Sequence, residues 1–267
     1  MPCDWIYPQT FSTAPQSDAA RAYLDDPSTQ KLAGFFEAKG LQSLKQEDQR
    51  QEWYDDWLAY QASHRIYFSV LAPAQTGDGG FAFDVLTYAR FLEVFGYFSP
   101  AHGYSLQVTS LGLFAFLLGA DRALKLEALA TLEKGGLLAF GVSEKEHGSD
   151  LLANEFTVRE LSPGRFVANG SKYYIGNANA ASLIAILASK HDKRSGGSSR
   201  RALPVLFALR PKESKGFGGV GKIGTLGVRG AFVGEFEVTD HEFPETDVIA
   251  AGRDAWDALF GAITLGK

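Results

Sequence analysis

The chain has 267 residues, 45% of them hydrophobic and 21% charged, so it can bury a sizeable core as one large domain or two smaller ones. Its formal net charge of -5 argues against a nucleic-acid partner, because proteins bind nucleic acids mainly through clustered lysine and arginine residues. The single cysteine, Cys3, excludes a disulfide framework and a cysteine-based zinc site.

The first half of the sequence has helical periodicity. Apolar residues at helical spacing predict helices over 46–62, 84–95 and 121–132, the last two capped by Asp84 and Asp121. The stripes of apolar residues on these helices do not indicate a ligand, and we interpret them as core packing.

The most apolar stretch, 104–120, is predicted to be a buried helix. It contains Gln107, Thr109 and Ser110, and it is shorter than the ~20 apolar residues that a membrane span needs. Residues 1–4 also lack the basic start of a secretory signal. We therefore expect a cytoplasmic protein without a membrane span.

After Gly136 the pattern is typical of short strands separated by turns. Several alternating or continuously apolar segments indicate strands, with no helices between them. The polar stretch 191–201 predicts an exposed hairpin loop. This pattern of short strands and turns favours an antiparallel barrel or sandwich, and we predict a barrel-like domain. The predicted strands are 155–161, 165–170, 183–188, 203–209 and 232–238.

The last segment is helical again. Trp256, Leu259, Phe260 and Ile263 follow i, i+3, i+4, i+7 spacing and form a wide apolar stripe that nothing later in the sequence covers. We interpret it as the first helix of a further helical domain that is missing from the sequence. The prediction is an α+β protein with an all-α domain at 1–136, a β domain at 137–250 and the truncated helical domain at 251–267.

Two motifs carry a resemblance to a known family. Residues 138–150 read LAFGVSEKEHGSD and residues 169–178 read NGSKYYIGNA. In this order they resemble the signatures of the acyl-CoA dehydrogenase and acyl-CoA oxidase family. A lone Gly-Ser-Asp means little, whereas the ordered set over 46–267 is specific. Further matches lie at Gly79-Gly80, 87–96 and 226–230.

The resemblance implies FAD as cofactor. A flavin needs hydrogen bonds at its O2/N1 edge and at N5, because negative charge grows on the ring as it accepts hydride. By resemblance, the Ser143 hydroxyl and nearby amides serve the O2/N1 edge, and Tyr174, Ile175 and Gly176 pass beside N5. The complete expected set of cofactor-binding residues is Phe140, Val142, Ser143, Gly148, Ser149, Tyr174, Ile175 and Gly176.

The implied reaction is α,β-dehydrogenation of an acyl-CoA thioester, with hydride transfer to flavin N5. Ser149 and Lys267 are the expected substrate-binding residues. No catalytic base is expected in this chain, because the family's glutamate lies in its C-terminal domain and the alternative position matches Gly266, which cannot act as a base. We therefore expect residues 1–267 alone to be inactive. The implied partners are an acyl-CoA, an electron-transfer flavoprotein or oxygen, and further copies of the chain in a dimer or tetramer.

Two alternatives stay open. Dehydrogenases usually have Thr where Gly176 stands, whereas acyl-CoA oxidases often have Gly, so the protein could pass electrons to oxygen. A non-catalytic flavin-binding subunit without the base is the second alternative.

Other patterns carry no site. The stretch 216–221 matches GxGxxG, but no helix follows it, so we expect a flexible Gly-rich loop instead of a nicotinamide site. The five histidines are scattered, and no pair has zinc-ligand spacing, so we expect no metal. Glu144 and Glu146, two residues apart in a loop, are expected in a solvated turn.

Overall fold

The computed structural model describes residues 26–73, 80–190 and 202–266. The predictions that concern Cys3, Gly79, the loop 191–201 and Lys267 lie outside the described residues.

The chain divides into two compact units. The first contains the described residues up to Tyr104, together with Glu133–Gly135 and Leu226–Ala231. The second contains Ser105–Leu132, Gly136–Thr225 and the described residues from Phe232 onward. The helical residues 105–132 thus group with the strands, so these units differ from the predicted domain limits at 136 and 250, which stay predictions.

The first unit is mostly helical. An aromatic cluster of Phe36, Trp57, Phe91 and Phe95 is fully buried and forms the centre of its core. A small antiparallel pair of strands interrupts the helices, so the predicted all-α character is wrong in this detail. Its elements are α1 (Pro27–Lys39), α2 (Leu41–Arg50), α3 (Asp55–Ser63), β1 (Leu71–Pro73), β2 (Phe81–Phe83), α4 (Val85–Phe98) and the start of α5 (Pro100–Leu118).

Local chemistry sets the helix ends. The Asp84 side chain accepts hydrogen bonds from the first turn of α4, and the Asp121 side chain accepts one from Leu124 N at 2.9 Å, so both predicted caps are confirmed. The predicted continuous helix 46–62 is wrong. Gln51 has a left-handed φ of 57° and ends α2, and α3 begins only at Asp55. No glycine or proline marks this break.

The second unit is built on one eight-stranded sheet of the described residues. Its neighbours run β10-β7-β6-β4-β5-β9-β8, with β3 also paired to β6. The order has two ends, at β10 and β8, so the predicted closed, barrel-like arrangement is not confirmed. The strands are β3 (Leu137–Gly141), β4 (Thr157–Ser162), β5 (Arg165–Gly176), β6 (Ala181–Lys190), β7 (Leu203–Leu209), β8 (Phe217–Lys222), β9 (Val233–Pro244) and β10 (Val248–Ala251).

The sheet is mixed, so the prediction of a purely antiparallel domain is wrong. β6 pairs in parallel with β3 and, at its end, with β4, while it pairs antiparallel with β7. Buried on both faces, β6 is apolar along nearly its whole length, as expected of a central strand. The GxGxxG stretch is also not a loop: it forms edge strand β8, paired with β9.

Two helices complete the described part of this unit, α6 (Arg122–Glu133) and α7 (Arg253–Leu265). The buried face of α7 consists of Leu259 and three alanines, whereas Phe260 is 53% exposed. The predicted stripe on this helix is therefore only partly buried. Within the described ranges, no helix is long and apolar enough to cross a membrane.

Candidate functional site

The first candidate segment leaves the sheet at the end of β3. Phe140 is buried in this strand and lies opposite Ala185 of β6. After Gly141 the chain enters a loop, residues 142–156, whose only helical turn in the structure is Leu151–Ala153. We call 142–156 the signature loop. β3 therefore fixes where the signature loop begins.

The second candidate segment is the end of β5, which carries an irregularity. The register of β5 against β9 shifts between Lys172 and Ile175. Tyr174 lies in this shift with a φ of 60°, a left-handed conformation that is uncommon for a non-glycine residue. Its side chain is 58% exposed, while Ile175 and Gly176 are buried. The bulge thus turns one tyrosine outward from a buried strand, and such backbone outliers occur preferentially at functional sites.

Two hydrogen bonds bring the two segments together. Ser143 Oγ donates to the Tyr173 carbonyl at 2.6 Å, and the Tyr173 amide donates to the Ser143 carbonyl at 3.0 Å. A hydroxyl has one proton to donate, so in this arrangement Ser143 Oγ can accept a further hydrogen bond but cannot donate one. The expected donation from this hydroxyl to a flavin is thus not available without a rotation of Ser143.

Glu144 is not in a solvated turn, so that prediction is wrong. The residue is 8% exposed, and its carboxylate is surrounded by donors. Only Glu146, its companion in the prediction, is exposed. The donors to Glu144 are Asn154 Nδ2 at 2.6 Å, Glu155 N at 2.7 Å, Phe156 N at 3.0 Å and Lys172 Nζ at 2.9 Å. A carboxylate buried with this many donors is a structural centre of the signature loop.

Lys172, in β5, is the partner of Glu144 and is fully buried. Its ammonium also donates to the Val142 carbonyl at 3.0 Å and lies 5.2 Å from the centre of the Phe156 ring. Burial lowers the pKa of Lys172 to about 8, against the opposing effect of Glu144, which favours the charged form. The pair therefore holds two opposite charges inside the protein, next to both candidate segments.

Asn177 anchors the chain directly after Gly176. It is buried with a φ of 59°, a conformation that asparagine tolerates better than most residues. Its Nδ2 donates to the Ser105 carbonyl at 3.0 Å, to Thr109 Oγ1 at 3.1 Å and to the Leu138 carbonyl at 3.3 Å. The end of β5 is thus tied both to α5 and to β3.

The structure therefore assembles some predicted residues and leaves others apart. Val142 and Ser143 lie beside the Tyr173–Gly176 end of β5, with Phe140 in the strand that leads to them. Gly148 and Ser149 are exposed in the signature loop, away from the hydrogen bonds that join Ser143 to β5. A cavity of about 390 Å³ lies beyond the signature, between Leu152, Leu203 and Trp256, and no predicted flavin residue lines it. The predicted flavin residues thus differ in exposure, since Gly148, Ser149 and Tyr174 are exposed whereas Phe140, Ile175 and Gly176 are buried.

Sequence reasoning missed Lys172, Glu144 and Asn177, although all three lie within or beside the quoted motifs. One signal could have found Lys172: it continues the two-residue alternation of buried Phe166 and Ala168 along β5, which directs it inward. Glu144 lies in a loop without periodicity, and its partner is 28 residues away. Its role becomes visible only in three dimensions.

Comparison with known proteins agrees with this architecture. Residues 139–241 match the family model of the acyl-CoA dehydrogenase middle domain. Cyclohex-1-ene-1-carbonyl-CoA dehydrogenase of Syntrophus aciditrophicus (strain SB) is 28% identical over 207 residues, which cover 74% of this chain and 46% of that protein. The chain spans about half the length of the curated relatives it matches.

Solved structures share the fold. A glutaryl-CoA dehydrogenase from Mycobacterium smegmatis in complex with FADH2 aligns with a TM-score of 0.73 at 16% identity, over 94% of this chain and 60% of that chain. Butyryl-CoA dehydrogenase from Megasphaera elsdenii aligns with a TM-score of 0.72 at 20% identity, over 93% of this chain and 63% of that chain. The mixed α+β architecture is thus that of acyl-CoA dehydrogenases. Together with the matched middle domain, it supports the assignment of the chain to the acyl-CoA dehydrogenase family.

Proposed function

We propose that the protein carries the FAD-binding face of an oxidoreductase that dehydrogenates an acyl-CoA thioester between its α and β carbons. The observation that carries the proposal is the reciprocal pair of hydrogen bonds between Ser143 and Tyr173. It joins the two motifs that resemble the family's flavin-binding segments. A structural neighbour with the same fold contains FADH2, and a curated relative is a CoA-thioester dehydrogenase, which supports this assignment.

The residues of the face fit a flavin ring. Tyr174 offers an exposed aromatic surface, and buried Ile175 and Gly176 follow it at the end of β5. Gly176 has no side-chain hydroxyl, so the donor that this strand offers to N5 is a backbone amide. Since Ser143 Oγ is already donating, the donors to the O2/N1 edge are backbone amides of the signature loop.

When bound, FAD supplies the hydride acceptor of the reaction. The residues of this chain bind and orient it, and exposed Ser149 contacts the CoA portion of the substrate. The group that removes the α proton is not expected among residues 1–267. In the family that the motifs resemble, no carboxylate of this face is the base, and Gly266 stands at the alternative position of the base. An electron-transfer flavoprotein or oxygen as acceptor, and a dimer or tetramer of the chain, follow from the resemblance alone.

An experiment with two proteins tests this proposal. The product of the complete reading frame is purified, and its visible spectrum is recorded before and after addition of FAD. We expect a yellow protein that oxidises an acyl-CoA, and at least about 100-fold lower turnover for residues 1–267 alone, the effect of losing a general base. A colourless product that takes up no FAD contradicts the proposal. Flavin retention without turnover by the complete product favours the non-catalytic subunit.

A further inference from the structure

The signature loop leaves the sheet at Val142 and returns to it at Phe156, and both ends converge on one buried ion pair. Lys172 Nζ donates to the Val142 carbonyl at the start of the loop. Glu144 accepts the amides of Glu155 and Phe156 at its end. The two charged groups meet at 2.9 Å with exposed fractions of 0% and 8%. One pair therefore closes a loop that contains Val142, Ser143, Gly148 and Ser149, which are half of the expected flavin residues.

The surroundings leave this pair little freedom. The Phe156 ring lies against β5 at Gly170, where a Cβ atom on the glycine would come within 2.6 Å of the ring. Lys172 Nζ lies over the same ring, and no water-filled space is needed to satisfy it, since the Val142 carbonyl and Glu144 both accept its protons. Moving the ammonium would therefore displace the start of the signature loop relative to Tyr173.

We infer that Lys172 and Glu144 are positioning residues for FAD, which act by holding the signature loop at a fixed place beside the Tyr173–Gly176 end of β5. The inference rests on the proposed function. It differs from a purely structural role, because the two residues are expected to set the affinity for FAD independently of their effect on stability.

Two variants separate position from stability. Lys172→Met removes the donor to Val142 and leaves Glu144 as an unpaired buried charge, so it is expected to weaken both folding and FAD binding. Lys172→Met combined with Glu144→Gln removes both charges. The single amide oxygen of Gln can still accept the Phe156 amide, which donates to one Glu144 oxygen, whereas the Glu155 amide, which donates to the other, loses its acceptor. We expect the urea midpoint of the double variant to return toward that of the unmodified protein, while its Kd for FAD stays raised about 10- to 100-fold, the worth of charge-assisted hydrogen bonds.

The matched control is Lys190→Met. Lys190 is also a strand lysine that pairs with a glutamate, Glu160 at 3.5 Å, and lies over a ring, Phe166 at 4.6 Å, but its side chain is 32% exposed. These two contacts of its side chain, Glu160 and Phe166, lie outside the signature loop. We expect an unchanged Kd for FAD, measured by quenching of flavin fluorescence on the complete gene product.

A pH profile gives a readout that structural support alone would not move. Among the described residues, the charged group that faces Lys172 is Glu144 of the signature loop, and the Phe156 ring and the Val142 carbonyl complete the surroundings of its ammonium. Because burial lowers the pKa of Lys172 to about 8, the Kd for FAD should rise as pH increases through this value, and the double variant should lack this rise. The nearby pair of His147 and Glu155, at 3.4 Å, is common to both proteins and cancels in the comparison.

The outcomes are distinct. An unmodified protein that binds no FAD overturns the proposed function itself. An unmodified protein that binds FAD, with a double variant that binds it equally well and with the same pH profile, leaves the proposed function intact and overturns the inference. If the Kd for FAD of the double variant recovers together with its urea midpoint, the inference is also overturned, because the pair then acts only by stabilising the fold.

Discussion

Two lysine–glutamate pairs of the same sheet show how burial changes what an ion pair does. Lys172 and Glu144 are almost completely buried, and between them they also bind the Val142 carbonyl and two backbone amides. Lys190 and Glu160 meet at 3.5 Å with side chains that are 32% and 46% exposed. Surface pairs contribute at most about 1 kcal/mol, whereas breaking a buried pair costs several times more. The residue types are identical, so the surroundings decide the role.

The largest expected effect comes from removing the buried carboxylate. Glu144→Ala leaves the Lys172 charge and the amides of Glu155 and Phe156 without their acceptor, so the free energy of unfolding should fall by about 3–5 kcal/mol. Glu160→Ala is the matched control and should lower it by at most about 1 kcal/mol. Urea unfolding of the 267-residue chain measures both. Equal losses for the two variants would mean that burial does not distinguish the pairs.

The second prediction concerns the pH dependence of stability. The pKa of Lys172 falls from 10.5 to about 8 on folding, so between these values the unfolded chain binds more protons than the folded one. Stability contributed by this group therefore increases as pH rises from about 8 toward 10.5, by up to roughly 3 kcal/mol, and is lost as pH falls through about 8.

Comparing the unmodified chain with Lys172→Met isolates this contribution. The urea midpoint of the unmodified chain should rise relative to that of the variant as pH increases from 8 to 10, since the variant has no ammonium at this position to titrate. Lys190→Met should show no comparable slope against the unmodified chain. A difference that stays constant over this range would disprove the buried, pKa-shifted lysine.

Part of this arrangement could be predicted from the sequence. Asp84 and Asp121 are read correctly because a helix cap depends on neighbouring residues alone. Strand β4 follows from alternation, and β6 and β7 follow from continuous apolar runs, which are also local signals, whereas the Gly-rich strand β8 is predicted as a loop. The parallel pairing of β3 with β6 could not be predicted, because alternation in a strand says nothing about the direction of its neighbour.

The candidate site shows the same limit. The motifs around Ser143 and Tyr174 predict two segments of a flavin site, and the structure brings these segments together, but alternation along β5 would turn Tyr174 to the same face as Lys172. The register shift before Ile175 reverses that direction and exposes the tyrosine. The sequence predicts that Glu144 lies in a solvated turn, because the residues that donate hydrogen bonds to its carboxylate are far from it along the chain. Packing between segments, which local sequence does not encode, settles both positions.

The smallest expected effect lies at the end of β5, beyond the buried pair. Gly176 is not among the glycines with positive φ, so Thr can adopt its extended backbone without conformational strain. Gly176→Thr adds a hydroxyl beside the expected N5 position and fills space that oxygen would use. Reoxidation of the substrate-reduced complete protein in air should slow by up to about tenfold, the worth of about one hydrogen bond.

Stopped-flow measurements under known oxygen concentration test this, provided that both proteins bind FAD equally. Lys190→Met serves again as a control, because Lys190 contacts β5 at Phe166, near the opposite end of that strand from Gly176. Equal reoxidation rates for Gly176→Thr and the unmodified protein would remove the reason to favour an oxidase and leave the dehydrogenase.

Hydrogen–deuterium exchange of the complete gene product, with and without FAD, tests most directly whether the junction of the signature loop and β5 is the flavin site. The account predicts that FAD slows exchange of amides in 142–150 and 172–177. Amides around the Lys190–Glu160 pair should remain unchanged. Protection that appears instead along the Gly-rich strand β8, with 142–150 and 172–177 unaffected, would contradict it.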